Sequence, residues 1–448
     1  MLIGFLPKRE REGDYSEYLL SGRKVGLFLF VMTNVSTWYG GILGVGEFTY
    51  RFGLLSWLTQ GLPYYLFALL FAFFLAKKIR GATLFTIPDK LEEVYGRKVG
   101  LVSAILIFVL VSPAPYLLMT ANLFSLIFGI GLLPSLIISI TLSGLFLLKG
   151  GYKSDLYTDV FQFFVMFIGF FLIVYISFTY VGDLNYLKLK LPPDHLKLTS
   201  NVSPVYLIVW FLIALWTFAD PGFHQRCYAA KNGETAKRGI IISLFFMILF
   251  DLLTTTTGLF ARATMPGLSN PVLSFPLYAD KILGSGSKGI FYAAMFATII
   301  STLNSFLFLG ATTLGRDFIF KLNRRSIEKK IPSYTRLGLI ITAVISVCLA
   351  FLIQSVISLW YLIGSICIPG IILLVFGAYY KKFSVGKKYA LIEIIGGAAA
   401  SLIWFFIRDQ ITISLINEIE PMIAGLFFSS VIHLIGVFNQ KNVSSPSA

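Results

Sequence analysis

Thr298, Ser301, Thr302 and Ser305 recur at a spacing that puts all four hydroxyls on one face of a helix. The run around them is apolar, and hydroxyls at hydrocarbon depth must face protein or a wet cavity. Neutral oxygens of this kind suit a hard, weakly held monovalent cation. Hydrogen bonding between helices is the plainer explanation of the same stripe, which also carries Asn304.

A second polar stretch lies in the first apolar run: Thr33-Asn34-Val35-Ser36-Thr37-Trp38-Tyr39-Gly40-Gly41, followed by Gly44 and Gly46. Glycine weakens a helix by about 1 kcal/mol relative to alanine, and Ser and Thr compete for backbone hydrogen bonds. The stretch fits either close packing through small residues or a helix broken so that its carbonyls can bind an ion.

Buried acids form the third group. Asp159 sits in Thr158-Asp159-Val160-Phe161-Gln162, Asp251 in mid-span, and Asp220 before Pro221-Gly222, where a helix is expected to end. An unpaired carboxylate at that depth is costly, so Asp251 needs a partner, a proton or water. No arginine is expected at mid-depth to pair a carboxylate. His195, His224 and His433 share no ligand spacing, and Cys227, Cys348 and Cys367 form no CxxC pair. The chain contains no G-x-S-x-G, H-E-x-x-H or P-loop motif, so an enzyme is not expected.

The elements that must position these groups follow from composition. Of 448 residues, 56% are hydrophobic and 13% charged, against about 25% charged in a globular domain, and the mean hydropathy is +0.80. Apolar runs fall near 25–50, 54–76, 99–129, 132–148, 156–181, 203–222, 239–261, 289–315, 337–356, 358–380, 389–407 and 421–439. The chain therefore reads as an all-α polytopic membrane protein with about 12 transmembrane helices. With the N-terminus inside, Lys8, Arg9 and Arg11, Lys77, Lys78 and Arg80, Arg324, Arg325, Lys329 and Lys330, and Lys381, Lys382, Lys387 and Lys388 all face the cytoplasm. That is the positive-inside bias, and it places both termini in the cytoplasm. The formal charge of +15 then reflects topology and anionic lipid, not nucleic acid.

Six motifs occur in an order that resembles the sodium:solute symporter family, which includes sodium/proline, sodium/pantothenate and sodium/glucose transporters. They are Asp14-Tyr15 with Leu20-Ser21-Gly22-Arg23; Thr33 to Trp38; Thr86-Ile87-Pro88-Asp89 with Tyr95-Gly96; Gly150-Gly151 with Thr158 to Gln162; Asp220-Pro221 with Gln225-Arg226 and Ala229-Ala230-Lys231; and Ser301 to Ser305 with Arg316-Asp317. The resemblance implies a leucine-transporter-type fold: a five-plus-five inverted repeat core plus two C-terminal helices. Here the repeats would be 25–181 and 203–380, the peripheral helices 389–439, and the cytoplasmic ends 1–24 and 440–448.

The resemblance also implies site residues. Sodium would be held by the carbonyls of Met32, Val35 and Thr298 and the hydroxyls of Ser301 and Thr302. A second sodium site would use Asp159, Ser301 and Ser305. The substrate pocket would involve Asn34, Trp38, Tyr39, Tyr116, Trp216 and Trp360. Asn34 stands where proline transporters carry an aspartate, and Trp38 and Tyr39 replace the sugar-binding pair of glucose transporters, so neither pocket type is expected.

The reading is a sodium-coupled symporter importing a small organic solute across the plasma membrane, with Na+ as co-transported ion. A proton-coupled transporter of the same fold, titrating Asp251 or Asp159, is the alternative. A sensor is not expected, because the stretch after Gln440 is short. The expected partners are the solute, sodium and membrane lipid, with the chain a monomer or weak homo-oligomer.

Overall fold

The computed structural model describes residues 15–199, 202–323, 327–410 and 419–444. Asp14 and the basic residues Lys8, Arg9, Arg11, Arg324 and Arg325 lie outside them, as do residues 445–448. Nearly every described residue is helical. This is how a chain keeps its backbone groups paired in lipid. An isolated parallel bridge joins Val25 to Ala230.

The helices that frame the site are numbered along the chain: α1 (Leu27–Trp38), α2 (Ile42–Phe52), α3 (Leu62–Phe74), α4 (Ile87–Tyr95), α5 (Arg97–Leu110), α6 (Ala114–Phe128), α7 (Leu132–Ile176), α8 (Trp216–Ala219), α9 (Pro221–Ala229), α10 (Gly233–Thr264), α11 (Ser285–Thr312), α12 (Ile331–Leu352), α13 (Val356–Tyr379), α14 (Lys387–Ile407) and α15 (Pro421–Ser444). Among the described residues, 11 helical segments are long and apolar enough to cross a membrane, and Leu132–Leu145 is a shorter apolar helix. Large side chains such as Phe171, Ile340, Phe406 and Phe427 are exposed on the outer faces, where lipid tails would cover them.

The breaks have local causes. Pro113, which has no N–H, follows the end of α5, so the expected span 99–129 is two helices in line. Helix α7 bends at Gly151, whose φ of 54° favours glycine. A Cβ there would lie 2.5 Å from the Tyr18 carbonyl oxygen. This bend sets the part of α7 bearing Asp155 and Asp159 against α1 and α11. Helix α7 packs most extensively on α11, while α14 and α15 pack on each other and on α13.

The first span is interrupted at Tyr39–Gly41, a 3-10 turn between α1 and α2. The polar stretch from Met32 to Trp38 stays α-helical, so the break lies after these residues, not within them. Asp220 marks the end of α8 as expected, but it also begins α9: its Oδ1 accepts the Phe223 backbone N–H at 2.7 Å.

Candidate cation cluster and solute cavity

The polar faces of α1, α7, α9 and α11 meet in one buried cluster. Asp159 on α7 is fully buried. From α1, the Thr33 hydroxyl donates a short hydrogen bond to Asp159 Oδ2, and Thr37 donates to the same oxygen at 3.3 Å. From α11, Ser301 donates to Asp159 Oδ1 at 2.6 Å. Ser305, one helical turn on, donates to Asp155 Oδ2 at 2.5 Å. Thr302 donates to the Thr37 carbonyl at 2.5 Å, tying α11 to the end of α1.

Arg226 of α9, near the end of the candidate span Tyr206–Ala229, closes the cluster; no arginine was expected at mid-depth to pair a carboxylate. It is 2% exposed. Its Nη2 donates to Thr37 Oγ1 at 2.5 Å and to the Thr33 carbonyl at 3.3 Å, and it lies 3.9 Å from Asp159 Oδ2. Asp155 and Arg226 were not picked out by sequence reasoning. The signal for Asp155 was its position four residues before Asp159, on the same helical face. Arg226 stood in a quoted motif, but nothing in its spacing tied it to α1.

Some expected ligands lie apart from these hydroxyl contacts. Met32 and Val35 are buried within the helical part of α1, and the Thr298 hydroxyl bonds back to the Ala294 carbonyl at 2.7 Å. Asn304 is fully buried with neither side-chain polar atom partnered, and Asp155 Oδ1 is likewise unpartnered.

Beside the cluster lies a cavity of about 650 Å³. Asn34, Trp38, Tyr39, Tyr116, Trp216 and Trp360 all line it. The glycines of the first span make room for its walls. A Cβ on Gly41 would meet the Trp360 indole at 2.5 Å, and one on Gly44 at 2.8 Å. Tyr116 packs against Phe306 and Trp360 with ring centroids 4.9 and 6.1 Å apart. Trp38 meets Phe223 edge-on at 5.3 Å. Asp251 also lines the cavity and accepts a short hydrogen bond from the Tyr65 hydroxyl.

Away from the cavity, α4 is pinned to the end of the α11 segment. Arg316 contacts Asp89 at 2.8 Å, and Lys321 contacts Asp89 and Glu92 at 2.6 Å each. Burial pushes the Asp89 carboxyl up, but Arg316 and then Lys321 outweigh it and hold its pKa down at about 2.

A model of the sodium:solute symporter family matches residues 18–397. The chain is 26% identical to the osmoregulated proline transporter OpuE of Bacillus subtilis, over 96% of this chain and 92% of that one. It is 24% identical to sodium/proline symporter 2 of Staphylococcus saprophyticus, over 96% and 89%. Its fold is similar to that of a Na+-coupled sialic acid symporter in a substrate-bound outward-open state, with a TM-score of 0.82, 16% identity and coverage of 100% of this chain and 96% of that one. It is also similar to Mhp1, a nucleobase-cation-symport-1 family transporter, with a TM-score of 0.64, 12% identity and coverage of 96% and 95%.

Proposed function

The chain belongs to the sodium:solute symporter family and is a sodium-coupled symporter of a small solute in the cell membrane; from that premise we propose how the cluster and the cavity divide the work. The family and these relatives are transporters, and the cluster is the cation's place. The observation that carries this is the convergence of α1 and α11 hydroxyls on Asp159. Sodium lies between α1 and α11, held by the carbonyls of Met32, Val35 and Thr298 and by the Ser301 and Thr302 hydroxyls. Asp159, Ser301 and Ser305 offer a second position. The Ser301 and Thr302 hydroxyls now donate their hydrogens to Asp159 and the Thr37 carbonyl; on ion entry their oxygens offer lone pairs to the cation.

Charge supports the same reading. Asp155 and Asp159 are both buried, and among the described residues the guanidinium that approaches them is that of Arg226, 3.9 Å from Asp159 and donating at 3.5 Å to Ser305, which in turn donates to Asp155. When both acids are ionised, one negative charge is left over, and a buried charge without a partner is costly. A monovalent cation supplies the balance.

The solute binds in the cavity, against Asn34, Trp38, Tyr39, Tyr116, Trp216 and Trp360. Residues 25–181 and 203–380 act as the two inverted repeats, and 389–439 as peripheral helices. With both termini cytoplasmic, the cavity's far wall of Ser203, Arg408 and Glu420 lies on the outer side. The Asp89–Arg316–Lys321 contacts then close the inner side. Sodium holds α1 against α11 in this outward-facing form and lets solute bind; rocking of the repeats exposes both to the cytoplasm. One charge crossing 100 mV supplies about 2.3 kcal/mol, enough for more than about tenfold accumulation of a neutral solute. Each chain encloses its own cavity, so a single chain is the transporting unit.

Equilibrium binding of radioactive sodium to the purified protein tests the assignment. Asp159→Asn is expected to weaken binding by about tenfold or more, the effect of losing at least about 1.4 kcal/mol. Unchanged sodium binding, with proton uptake on solute addition, would favour proton coupling instead.

A further inference from the structure

We infer that the solute carries a positively charged nitrogen, with Asp251 as its counter-charge in the cavity; this rests on the symport reading above and names its substrate class. Among the described residues, five charged side chains line the cavity: Asp220, Arg226, Asp251, Arg408 and Glu420. Four of them are already engaged. Arg226 is turned to Thr33 and Thr37. Arg408 pairs with Glu420 at 3.1 Å. Asp220 caps α9, where the helix N-terminus offsets its charge.

Asp251 differs. It is 9% exposed, and the groups that hydrogen-bond to it are neutral phenols, the hydroxyls of Tyr65 and Tyr39. Among the described residues no lysine, arginine or histidine forms an ion pair with it. A carboxylate in a largely apolar cavity wants a cation. The walls around it point the same way. Trp38, Tyr64, Tyr116, Trp216 and Trp360 line the same space, and aromatic faces attract ammonium groups through their negative quadrupoles. An anionic solute would meet those faces and an unpaired carboxylate together, with both cavity arginines engaged elsewhere. A neutral sugar would leave the carboxylate without its counter-charge.

The test uses thermal stability of the detergent-purified full chain in saturating sodium chloride, with choline, a cation, and L-proline, a zwitterion, as probes bearing a positively charged nitrogen, and D-glucose and pyruvate as neutral and anionic probes without one. A compound that binds the folded state raises the apparent Tm. Choline or L-proline is expected to raise it further, and D-glucose and pyruvate are not. In Asp251→Asn the half-saturating concentration of the responding probe should rise about tenfold or more, and Asp251→Glu should restore part of it. The shift caused by sodium alone is measured in the same variants as the control for folding. A rise with D-glucose or pyruvate, no rise with either nitrogen probe, or an unaltered response in Asp251→Asn overturns the inference. If Asp251→Asn does not fold, the wild-type probe order and Asp251→Glu decide it. Absence of the sodium shift in the wild type counts against the cation cluster, and the same probes in potassium chloride then decide the solute class separately.

Discussion

The Ser301 hydroxyl donates to an Asp159 carboxylate oxygen across 2.6 Å, joining helices whose contributing residues are 142 positions apart. Thr33 and Thr37 reach the same carboxylate from a third helix. The side chain is thus the point where α1, α7 and α11 are held in register. Any ion that takes over its oxygens changes how three helices fit together, and this is the link from cation binding to the shape of the solute cavity.

Arg226 should matter more for stability than its exposed counterparts. It is the guanidinium beside Asp159, and it also holds the Thr33 carbonyl and the Thr37 hydroxyl. Removing one partner of a buried charged pair costs about 3–5 kcal/mol. Arg226→Ala is therefore expected to lower the Tm in sodium-free buffer by many degrees. Arg238→Ala, which breaks an exposed pair with Glu234, should cost less than about 1 kcal/mol. Equal losses for the two variants would contradict this ranking.

Gly40 should not tolerate a side chain. Its missing Cβ would lie 2.2 Å from both Cβ and Oγ1 of Thr302, the residue that bonds the Thr37 carbonyl. Overpacking of this kind costs about 1–3 kcal/mol. Gly40→Ala should lower stability and weaken sodium binding together, since it drives α1 from α11. Gly26→Ala, where a Cβ meets nothing within 4 Å, is the control. A Gly40→Ala protein that binds sodium normally would contradict the close approach.

The Asp89 contacts predict an acid-side loss of stability. Burial raises the Asp89 pKa, yet Arg316 and Lys321 hold it at about 2, below the ordinary 3.8. A depressed carboxyl pKa contributes stability that is complete above the unfolded value and is lost as pH falls through the folded one. The contribution, about 2 kcal/mol, should therefore be present at neutral pH and fade between about pH 4 and pH 2. Asp89→Asn should lower the Tm at pH 7 and differ much less from the wild type near pH 2. A constant difference across that range would contradict the pairing.

Much of the architecture was legible because membrane spans announce themselves. The lengths of apolar runs follow from bilayer thickness, and the bend at Gly151 falls between two of the expected runs, whereas 99–129 was read as one span and the break before Pro113 was missed. The face carrying Thr298, Ser301, Thr302 and Ser305 was legible from helical period alone, and it does point at the Asp159 cluster through Ser301 and Ser305. What stayed hidden required distances between helices. Arg226 was written down as part of a motif, but only the fold places it beside Thr37, 189 positions away. Asp155 and the position of the helix break were missed for a related reason. The four glycines between Gly40 and Gly46 suggested an unwound backbone, whereas Gly40, Gly41 and Gly44 serve largely to admit Thr302 and Trp360.

The most direct test of the central claim is the thermal stability of the purified protein in sodium, lithium and potassium chlorides at matched ionic strength, compared with Ser301→Ala/Thr302→Ala. A cation that binds only the folded state at 100 times its Kd adds about 2.7 kcal/mol. Sodium should raise the wild-type Tm above its value in potassium, and the double variant should lose that difference while folding in both salts. Equal Tm values for the wild type in all three salts, or a sodium shift that survives in the double variant, would contradict the cation cluster.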